Sequence, residues 1–486
     1  MSDSEFFTLY FSSSLLPFWK TRYPYQQIDT GIFVAKKIKT FETNFEFFRL
    51  YFALEEKQME EIMKKVITVG VFAACVLLIA IQYKSFGQNI ERVVANEKDV
   101  VQVDNEFQIE QATHLFEKVL LIEEVQPIYM KGKALVEIGT VQPGASFAIA
   151  SEDELFYELR FGKMTAFIKK GSATVEKREI QALVNKEVTG SVKADERVAV
   201  YEETSFDSAV MLQLAQGFRY PVVGEIGDWF IVKIGERAGY IHNQSVEIDE
   251  GIPVLVYHHI LPKEEMVTEA STVSVESFEQ QMVFLAEEQF ETITTAQLYD
   301  YLEGRQILST NSILITFDDG LLSTKKYAYP ILKKHGFTAV QHIISSRTNR
   351  FEGEQIFNSE GPLQFFTEYE MEQLADVFYY EAHTERLHQL NSETGLGVAL
   401  DLSASEIAAD LKRNVATLKN ATSLAYPFGH YNEEMVKAMK EVGLLIGFTT
   451  NEGYANIEQS NYEVNRFGVT EKKTYEQFTS YVKGVF

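Results

Sequence analysis

Cysteine is almost absent from this sequence, since Cys75 is the single cysteine among 486 residues. One thiol cannot build an intrachain disulfide framework, so a fold held by such a framework is excluded. Basic residues are also scarce, because 45 Lys and Arg face 70 Asp and Glu and give a formal net charge of −25. Nucleic-acid binding requires clustered positive charge, and we therefore expect no nucleic-acid partner. The length exceeds one ordinary core and predicts two to four domains.

Charge is missing from one apolar run near the N-terminus, residues 66–83, "VITVGVFAACVLLIAIQY". Its length is near the lower limit for a spanning helix, and Lys64, Lys65 and Lys84 flank it. A buried core helix and a cleaved signal peptide are the alternatives, but the following "YKSFGQ" offers no small-x-small cleavage site. We expect a transmembrane signal anchor over residues 63–87, with one pass through the cell membrane and the later domains extracellular.

The segments on either side of this anchor are less informative. Residues 1–62 are rich in Phe and Tyr without a clear period, and we assign them no function. Residues 88–122 are polar with scattered apolar positions, a pattern that predicts a helical stalk.

An internal repeat follows the predicted stalk. Residues 143–168 align without a gap on residues 216–241, and the glycine pair Gly144 and Gly217 shows the offset of 73 (217 − 144 = 73). Each copy alternates short strand-like runs with glycine turns, which predicts a small all-β barrel.

The second copy, "GDWFIVKIGERAGYIHNQSVEI", resembles the bacterial SH3-like domain found in cell-wall proteins. The resemblance predicts SH3-like repeats over residues 123–178 and 188–249. We expect the pair to act as a spacer, and the alternative is a peptidoglycan partner, because an aromatic groove in that family often binds wall peptide. Trp229 and Tyr240 fit a role as core aromatics in either case.

Residues 251–486 form one predicted unit after an acidic hinge, "EIDEG". Strand candidates such as "PVLVYHH", "SILITF", "AVQHIIS" and "SLAYPF" alternate with amphipathic helical stretches, one of which opens on a capping box of Thr367 and Glu370. Such alternation predicts a parallel β/α architecture, open or closed into a barrel. In such a barrel the active site lies at the C-terminal ends of the strands.

Residues able to do chemistry follow these strands. Asp318 and Asp319 end the strand "SILITF", although Asp-Gly is also ordinary turn chemistry. Two adjacent carboxylates oppose each other's ionisation unless a positive charge lies nearby. His383 and His388 of "HTERLH" would lie about 140° apart on a helix, so they can share a metal only from a loop or strand end. One carboxylate and two imidazoles leave a fourth position open on Zn²⁺, as in catalytic sites.

Three motifs, "TFDDG", "HTERLH" and "AYPFG", resemble those of the polysaccharide deacetylases, the NodB-homology domain of carbohydrate esterase family 4. The resemblance spans residues 252–486 and implies a distorted (β/α) barrel. The histidine spacing of five, with a Tyr-His strand placed before "TFDDG", is most similar to the membrane-anchored poly-N-acetylglucosamine deacetylases. Together with the internal repeat and the apolar run, this resemblance predicts an α/β deacetylase domain preceded by two small SH3-like barrels and a transmembrane helix.

The resemblance also implies a role for each matching residue. It implies a divalent-metal site, with Zn²⁺ favoured, formed by Asp319, His383 and His388. Asp318 is implied to be the general base that activates water, and His258 of "VYHHI" the general acid that protonates the leaving amine. The backbone N–H of Tyr426 is implied to stabilise the oxyanion. A nearby dication also allows two adjacent aspartates to remain ionised.

The sequence departs from the family at Ala425, where many members have an arginine that orients the catalytic aspartate. Arg466 of "VNRFGV" is a candidate replacement, with a surface or core-edge arginine as the alternative. His259 is either a neighbour of the site or simply packed. The remaining histidines receive no role, and they are His114, His242, His335, His342 and His430.

The predicted function is metal-dependent N-deacetylation of N-acetylglucosamine residues in an extracellular polysaccharide, with poly-N-acetylglucosamine favoured. The alternatives are a peptidoglycan N-acetylglucosamine deacetylase and a non-catalytic cell-wall-binding scaffold. A metal-dependent peptidase is disfavoured because the sequence contains no HExxH motif.

Overall fold

The computed structural model describes residues 110–484, apart from 133, 172, 185 and 349–352. The predicted N-terminal segment, the predicted anchor and residues 88–109 of the predicted stalk lie outside the described residues. Within the described part of the chain, no helix is long and apolar enough to cross a membrane.

Residues 111–248 are built from short strands that pair mainly with antiparallel neighbours. These strands are β1 (Gln111–Ile122), β2 (Gln126–Lys131), β3 (Leu135–Val141), β4 (Ser146–Ala148), β5 (Ser151–Glu152), β6 (Phe156–Phe161), β7 (Met164–Lys169), β8 (Ala173–Leu183), β9 (Gly190–Ala194), β10 (Val198–Tyr201), β11 (Val210–Leu214), β12 (Phe218–Val222), β13 (Gly224–Ile226), β14 (Trp229–Ile234), β15 (Arg237–His242) and β16 (Glu247–Ile248).

The repeat predicted from the sequence is present in the strands. The hairpin of β6 and β7 recurs as β14 and β15 at the same offset, since 229 − 156 = 73 and 237 − 164 = 73. The copies are not separate barrels, however. Strands of both copies join in one sheet of order β13-β14-β15-β10-β11-β3-β2-β7-β6-β5, and β14 also pairs with β6. Phe161 of the first copy stacks on Tyr220 of the second, so one apolar core serves both.

The predicted helical stalk is wrong for residues 111–122, which form β1. This strand pairs with β8 from Gln111↔Leu183 to Ile122↔Ala173, with one register shift. Its partner lies about 60 residues further along the chain, so a local pattern of polar and apolar residues could not reveal the pairing.

Residues 251–484 alternate strands with helices. The strands are β17 (Val254–Tyr257), β18 (His259–Leu261), β19 (Thr272–Ser274), β20 (Glu291–Thr292), β21 (Leu308–Ser309), β22 (Ser312–Phe317), β23 (Ala339–Ile343), β24 (Phe378–Ala382), β25 (Ser423–Ala425), β26 (Ile446–Phe448) and β27 (Phe467–Gly468). The helices are α1 (Val275–Glu287), α2 (Thr295–Leu302), α3 (Ser323–Lys326), α4 (Ala328–His335), α5 (Glu368–Gln373), α6 (Ala404–Leu418), α7 (Glu433–Val442) and α8 (Tyr475–Lys483).

The main sheet has the order β26-β25-β24-β23-β22-β17-β27, and its strand pairs are parallel. A parallel bridge between Phe448 and Val464 carries the segment that precedes β27 beside β26. This curved sheet confirms the predicted distorted (β/α) barrel. Every residue of β22 is buried, as expected for a central parallel strand covered on both faces. The predicted capping box of Thr367 and Glu370 is confirmed at the start of α5.

The predicted acidic hinge between the two parts of the chain is anchored by one buried carboxylate, that of Asp249. Asp249 lies in an ion pair with Arg219 and accepts hydrogen bonds from Ser191 and Tyr301 at 2.7 and 2.8 Å. Strand β21 of the α/β part pairs with β12 of the repeat part. Buried ion pairing and strand pairing hold this linker in one conformation.

Candidate metal centre and active site

The two adjacent aspartates sit at the C-terminal end of β22, as predicted. The backbone N–H of Asp318 donates to the carbonyl of Tyr257 at 2.9 Å, which extends the pairing of β22 with β17 by one residue. The chain then turns, with a positive φ of 75° at Asp319 and 70° at Gly320. Glycine adopts this backbone conformation at Gly320 without the strain that a side chain would add, and a Cβ there would also displace the end of the Ile343 side chain, 2.7 Å away. The turn gives the two carboxylates different partners.

Asp318 is buried and paired with Arg466. The guanidinium makes two parallel contacts of 2.8 Å, from Nη1 to Oδ1 and from Nη2 to Oδ2. Arg466 is itself fully buried, and its Nε donates to the carbonyl of Thr449 at 3.0 Å. The arginine that the motif lacks at Ala425 is thus matched by an arginine from the segment just before β27. A planar guanidinium in this geometry fixes the orientation of the carboxylate.

His342 completes the surroundings of Asp318, with Nδ1 3.0 Å from Oδ1. The interpretation that His342 has no part in the site is therefore wrong. Burial alone would raise the pKa of Asp318, but the charge of Arg466 and the hydrogen bonds from His342 and Arg466 outweigh it. The pKa of Asp318 is held well below its ordinary value. Asp318 is consequently ionised at neutral pH although almost no water reaches it.

Asp319, His383 and His388 meet on the same side of the sheet. One potential ligand atom from each lies within 4.8 Å of the other two. Asp319 Oδ1 is 3.6 Å from His383 Nε2 and 3.3 Å from His388 Nε2. These are the three residues that the sequence resemblance assigned to a metal, and they come from the ends of β22 and β24 and the loop after β24.

The protonation states of His383 and His388 are suited to binding a cation. His383 Nδ1 donates to the carbonyl of Ala425 at 2.7 Å, which leaves the lone pair on Nε2, the atom that faces Asp319. Burial lowers the pKa of His383 to about 3, against the opposing charge of Asp318. Burial also lowers the pKa of His388. Both rings are therefore neutral at pH 7 and able to bind a metal.

A divalent cation fits this cluster. Asp319 Oδ1 is buried and has no hydrogen-bond partner within the described part of the chain. Buried carboxylate oxygens are normally paired, so an unpaired one that faces two imidazole Nε2 atoms matches a metal ligand. Asp319, His383 and His388 are the residues that would hold the ion.

The two histidines after β17 differ in their contacts. His259 Nδ1 lies 3.1 Å from Ser323 Oγ, and burial lowers its pKa while the charge of Asp319 opposes that shift. His259 therefore contacts the first residue of α3, and a role for it in the site stays a prediction. His258 is half-buried at the same sheet edge, directly after the residue that pairs with Phe317. Its role as the general acid stays a prediction.

The backbone N–H of Tyr426 is already engaged. It donates to the carbonyl of Phe448 at 3.1 Å, which continues the pairing of β25 with β26. This contact does not leave the N–H free for a substrate oxygen, so the geometry gives no support to the predicted oxyanion role. The neighbouring Phe428 lies against the site instead, with its ring centroid 4.3 Å from that of His388.

Sequence reasoning missed His342, and only a weak signal could have found it. His342 lies on β23, the strand beside β22, and Phe317 pairs with Gln341. The next residue on each strand is His342 and Asp318, so the contact follows from the register. Register between strands 24 residues apart is not visible in the sequence.

Comparison with known proteins agrees with this geometry. A family model for polysaccharide deacetylase matches residues 305–447. YxkH of Bacillus subtilis (strain 168), provisionally named a polysaccharide deacetylase, is 29% identical over 237 residues, which are 48% of this chain and 77% of that protein. A poly-beta-1,6-N-acetyl-D-glucosamine N-deacetylase of Staphylococcus epidermidis is 28% identical over 206 residues, which are 41% of this chain and 68% of that protein.

One similar solved structure is IcaB from Ammonifex degensii, at 24% identity and a TM-score of 0.42, covering 48% of this chain and 98% of that one. A TM-score below 0.5 adds no argument about function. The family match and the strand-end site agree on one class of protein, the deacetylase hydrolases. More particularly, residues 305–447 match the polysaccharide deacetylase family. Asp318, Asp319, His383 and His388 lie inside the matched stretch, whereas His258 and Arg466 lie outside it.

Proposed function

We propose that this chain is a divalent-metal-dependent N-deacetylase of N-acetylglucosamine units in an extracellular polysaccharide, with β-1,6-linked poly-N-acetylglucosamine as the favoured substrate. One observation carries the proposal. A buried aspartate that Arg466 keeps ionised stands next to a metal-ligand cluster of Asp319, His383 and His388. A base and a cation site side by side at the strand ends are what amide hydrolysis needs.

Asp318 has the negative charge and an unoccupied acceptor position with which to accept a proton. Its Oδ1 receives hydrogen bonds from Arg466 and His342, whereas Oδ2 receives one from Arg466 alone. A carboxylate offers about four acceptor positions, so one position on Oδ2 stays open. In the proposed reaction Asp318 takes a proton from the water that attacks the acetyl carbonyl.

The leaving nitrogen needs a proton, because an amine anion is a poor leaving group. We assign this proton to His258, which directly follows β17, the strand beside β22. The carbon–nitrogen bond then breaks, and the products are acetate and a free amine on the sugar. A bound divalent cation, with Zn²⁺ favoured, supplies Lewis-acid polarisation of the carbonyl and lowers the pKa of the attacking water. The residues that would hold it are Asp319, His383 and His388.

The substrate choice rests on two similarities. Similar proteins of staphylococci are named poly-beta-1,6-N-acetyl-D-glucosamine N-deacetylases. The histidine spacing of five and the leading Tyr-His strand resemble the same group. Peptidoglycan is the competing polymer, because the second repeat resembles wall-binding domains and holds a pocket of about 390 Å³ lined in part by Asp228, Trp229 and Ile248.

The substrate test measures acetate released from β-1,6-linked N-acetylglucosamine oligomers and from peptidoglycan fragments at equal acetyl concentration. We expect faster release from the β-1,6-linked oligomers. Faster release from peptidoglycan fragments would overturn the substrate and leave the chemistry intact. Binding of either polymer without any acetate release, in the metal-loaded chain, would favour the non-catalytic scaffold.

The proposal places the deacetylase domain outside the cell, anchored by residues 63–87 with the Lys64–Lys65 flank in the cytoplasm. Protease added to intact cells should then digest the domain. Protection that disappears only when the cells are lysed would reverse the orientation.

A further inference from the structure

The loop that carries His383 and His388 begins with an unfavourable backbone conformation. Thr384, directly after His383, has a φ of 69°. This left-handed region is disfavoured for a β-branched residue, and such a conformation persists only where the surroundings impose it. The turn at Thr384 redirects the chain after β24, so that His388 comes back to face Asp319 beside His383.

Two side chains of α6 hold this turn by its backbone. Asp410 Oδ1 accepts from the N–H of Glu385 at 2.7 Å, and Asp410 Oδ2 accepts from the N–H of Arg386 at 2.9 Å. One helical turn further on, Asn414 Nδ2 donates to the carbonyl of Thr384 at 2.8 Å. Three successive residues between the two histidines are thus fixed from one helix face.

Asn414 also ties the loop to the neighbouring strand. Its Nδ2 donates to the carbonyl of Ile343 at 3.0 Å and to Ser345 Oγ at 2.9 Å. The same carbonyl of Ile343 accepts from the backbone N–H of His383 at 3.1 Å. The amide therefore connects Ile343 at the end of β23 with Thr384, and the same Ile343 carbonyl holds the backbone N–H of His383.

Packing of α6 does not require these polar contacts. The helix already docks through a buried apolar face of Ile407, Ala408, Leu411 and Leu418. Asp410 and Asn414 are 2% and 0% exposed, and a buried carboxylate or amide costs stability unless its hydrogen bonds are made. Burial raises the pKa of Asp410, and the hydrogen bonds from the N–H groups of Glu385 and Arg386 oppose that shift. Neither side chain reaches the metal-ligand atoms.

We propose that Asp410 and Asn414 are positioning residues that set the metal affinity of the site by holding residues 384–386 in the turn that unites His383 with His388. The inference rests on the proposed function only through the metal site, and not through the substrate. Residues that orient metal ligands typically change metal affinity by about 10–100-fold when they are replaced.

The test measures the Zn²⁺ affinity of the purified chain by competition with a chromophoric chelator. Asn414→Leu keeps the size of the side chain and removes the Nδ2 amino group, whose two N–H groups share three acceptors, and we expect affinity to fall by about 10–100-fold. Lys412→Ala is the matched control, because Lys412 lies on the same helix and pairs with the side chain of Glu441 at the surface, away from the turn. Exposed ion pairs contribute little, so the control should bind Zn²⁺ like the wild type.

A second variant keeps the test decisive if Asn414→Leu does not fold. Asp410→Asn retains shape and one acceptor oxygen, and we expect a smaller but measurable loss of Zn²⁺ affinity. Excess Zn²⁺ should restore acetate release in both folded variants, because the defect lies in ion binding. Wild-type affinity in folded Asn414→Leu, or in Asp410→Asn if the first variant is unfolded, overturns the proposal.

The outcomes also separate this inference from the proposed function. Equal Zn²⁺ affinity in wild type and variants, with normal acetate release, removes the positioning role and leaves the deacetylase. Weakened Zn²⁺ binding in the variants of a chain that releases no acetate supports the positioning role and removes the deacetylase. A wild-type chain that binds no Zn²⁺ overturns both.

Discussion

Two buried aspartate–arginine pairs occupy different regions of this protein. Asp249 and Arg219 join the repeat part to the α/β part, and Asp318 and Arg466 lie at the strand ends of the barrel. Both pairs are almost inaccessible to water, and both arginines also donate to backbone carbonyls. Burial and ion pairing alone therefore do not distinguish a structural pair from a catalytic one.

The difference lies in how many acceptor positions are filled. Asp249 accepts four hydrogen bonds, from Arg219, Gly251, Ser191 and Tyr301, which saturates a carboxylate. Asp318 accepts three, two from Arg466 and one from His342. One acceptor position of Asp318 therefore stays open, and Asp318 is adjacent in the chain to Asp319 of the metal-ligand cluster. A saturated aspartate stabilises the junction, whereas an unsaturated one beside a cation site can take a proton.

The two pairs should differ most in the rate of acetate release when the aspartates themselves are replaced. Asp318→Asn should lower the rate of acetate release about 10²–10⁴-fold, because the variant lacks the proposed general base. Its Zn²⁺ content should stay at the wild-type level, since Asp319, His383 and His388 are intact. Asp249→Asn is the matched control and should keep the wild-type rate per folded molecule. Near-normal turnover in Asp318→Asn would remove that residue from the mechanism.

Changing the arginines should separate stability from rate. Arg219→Met leaves Asp249 buried without a cation and should lower the free energy of unfolding by about 3–5 kcal/mol, measured by denaturant titration. The rate per folded molecule should not change. Arg466→Met should cost a comparable amount of stability and also slow acetate release, because Asp318 loses its orientation. A slowed Arg219→Met enzyme, measured on the folded fraction, would contradict the assignment of the two roles.

The smallest expected effect is on pH dependence. Arg466 helps to hold the pKa of Asp318 below its ordinary value of 3.8, and Arg466→Lys replaces the two parallel contacts by one at most. The ionised carboxylate loses stabilisation, so its pKa should rise and the acidic limb of kcat/KM should move to higher pH. Arg219→Lys should leave the profile in place. An acidic limb that moves to lower pH in Arg466→Lys would contradict the sign of this argument.

Much of the α/β part could be predicted from the sequence because its signals are local. The six buried residues of β22 end on Asp318, and the capping box of Thr367 and Glu370 opens α5 where it was expected. The metal-ligand residues were predictable because they follow strand ends, and parallel strand ends share one edge of the barrel.

The remaining features depend on pairings between distant segments. The partner of β1 is β8, so residues 111–122 form a strand and not part of the predicted helical stalk, and the strands of the two repeats merge into one sheet. His342 reaches Asp318 through the register of β23 on β22. The sequence predicted Asp249 to be part of an acidic hinge, and its ion pair with Arg219 becomes apparent only in the folded structure. Such contacts are set by tertiary structure and leave no mark in a short window of sequence.

The central claim is that Asp319, His383 and His388 hold one divalent cation on which deacetylation depends. The most direct measurement strips the purified chain with a chelator and follows acetate release during titration with Zn²⁺. We expect no release without metal and full release at one ion per chain. The double variant His383→Ala, His388→Ala should neither bind the ion nor recover. Full acetate release by the metal-free wild type, or wild-type Zn²⁺ content in the double variant, would contradict the account.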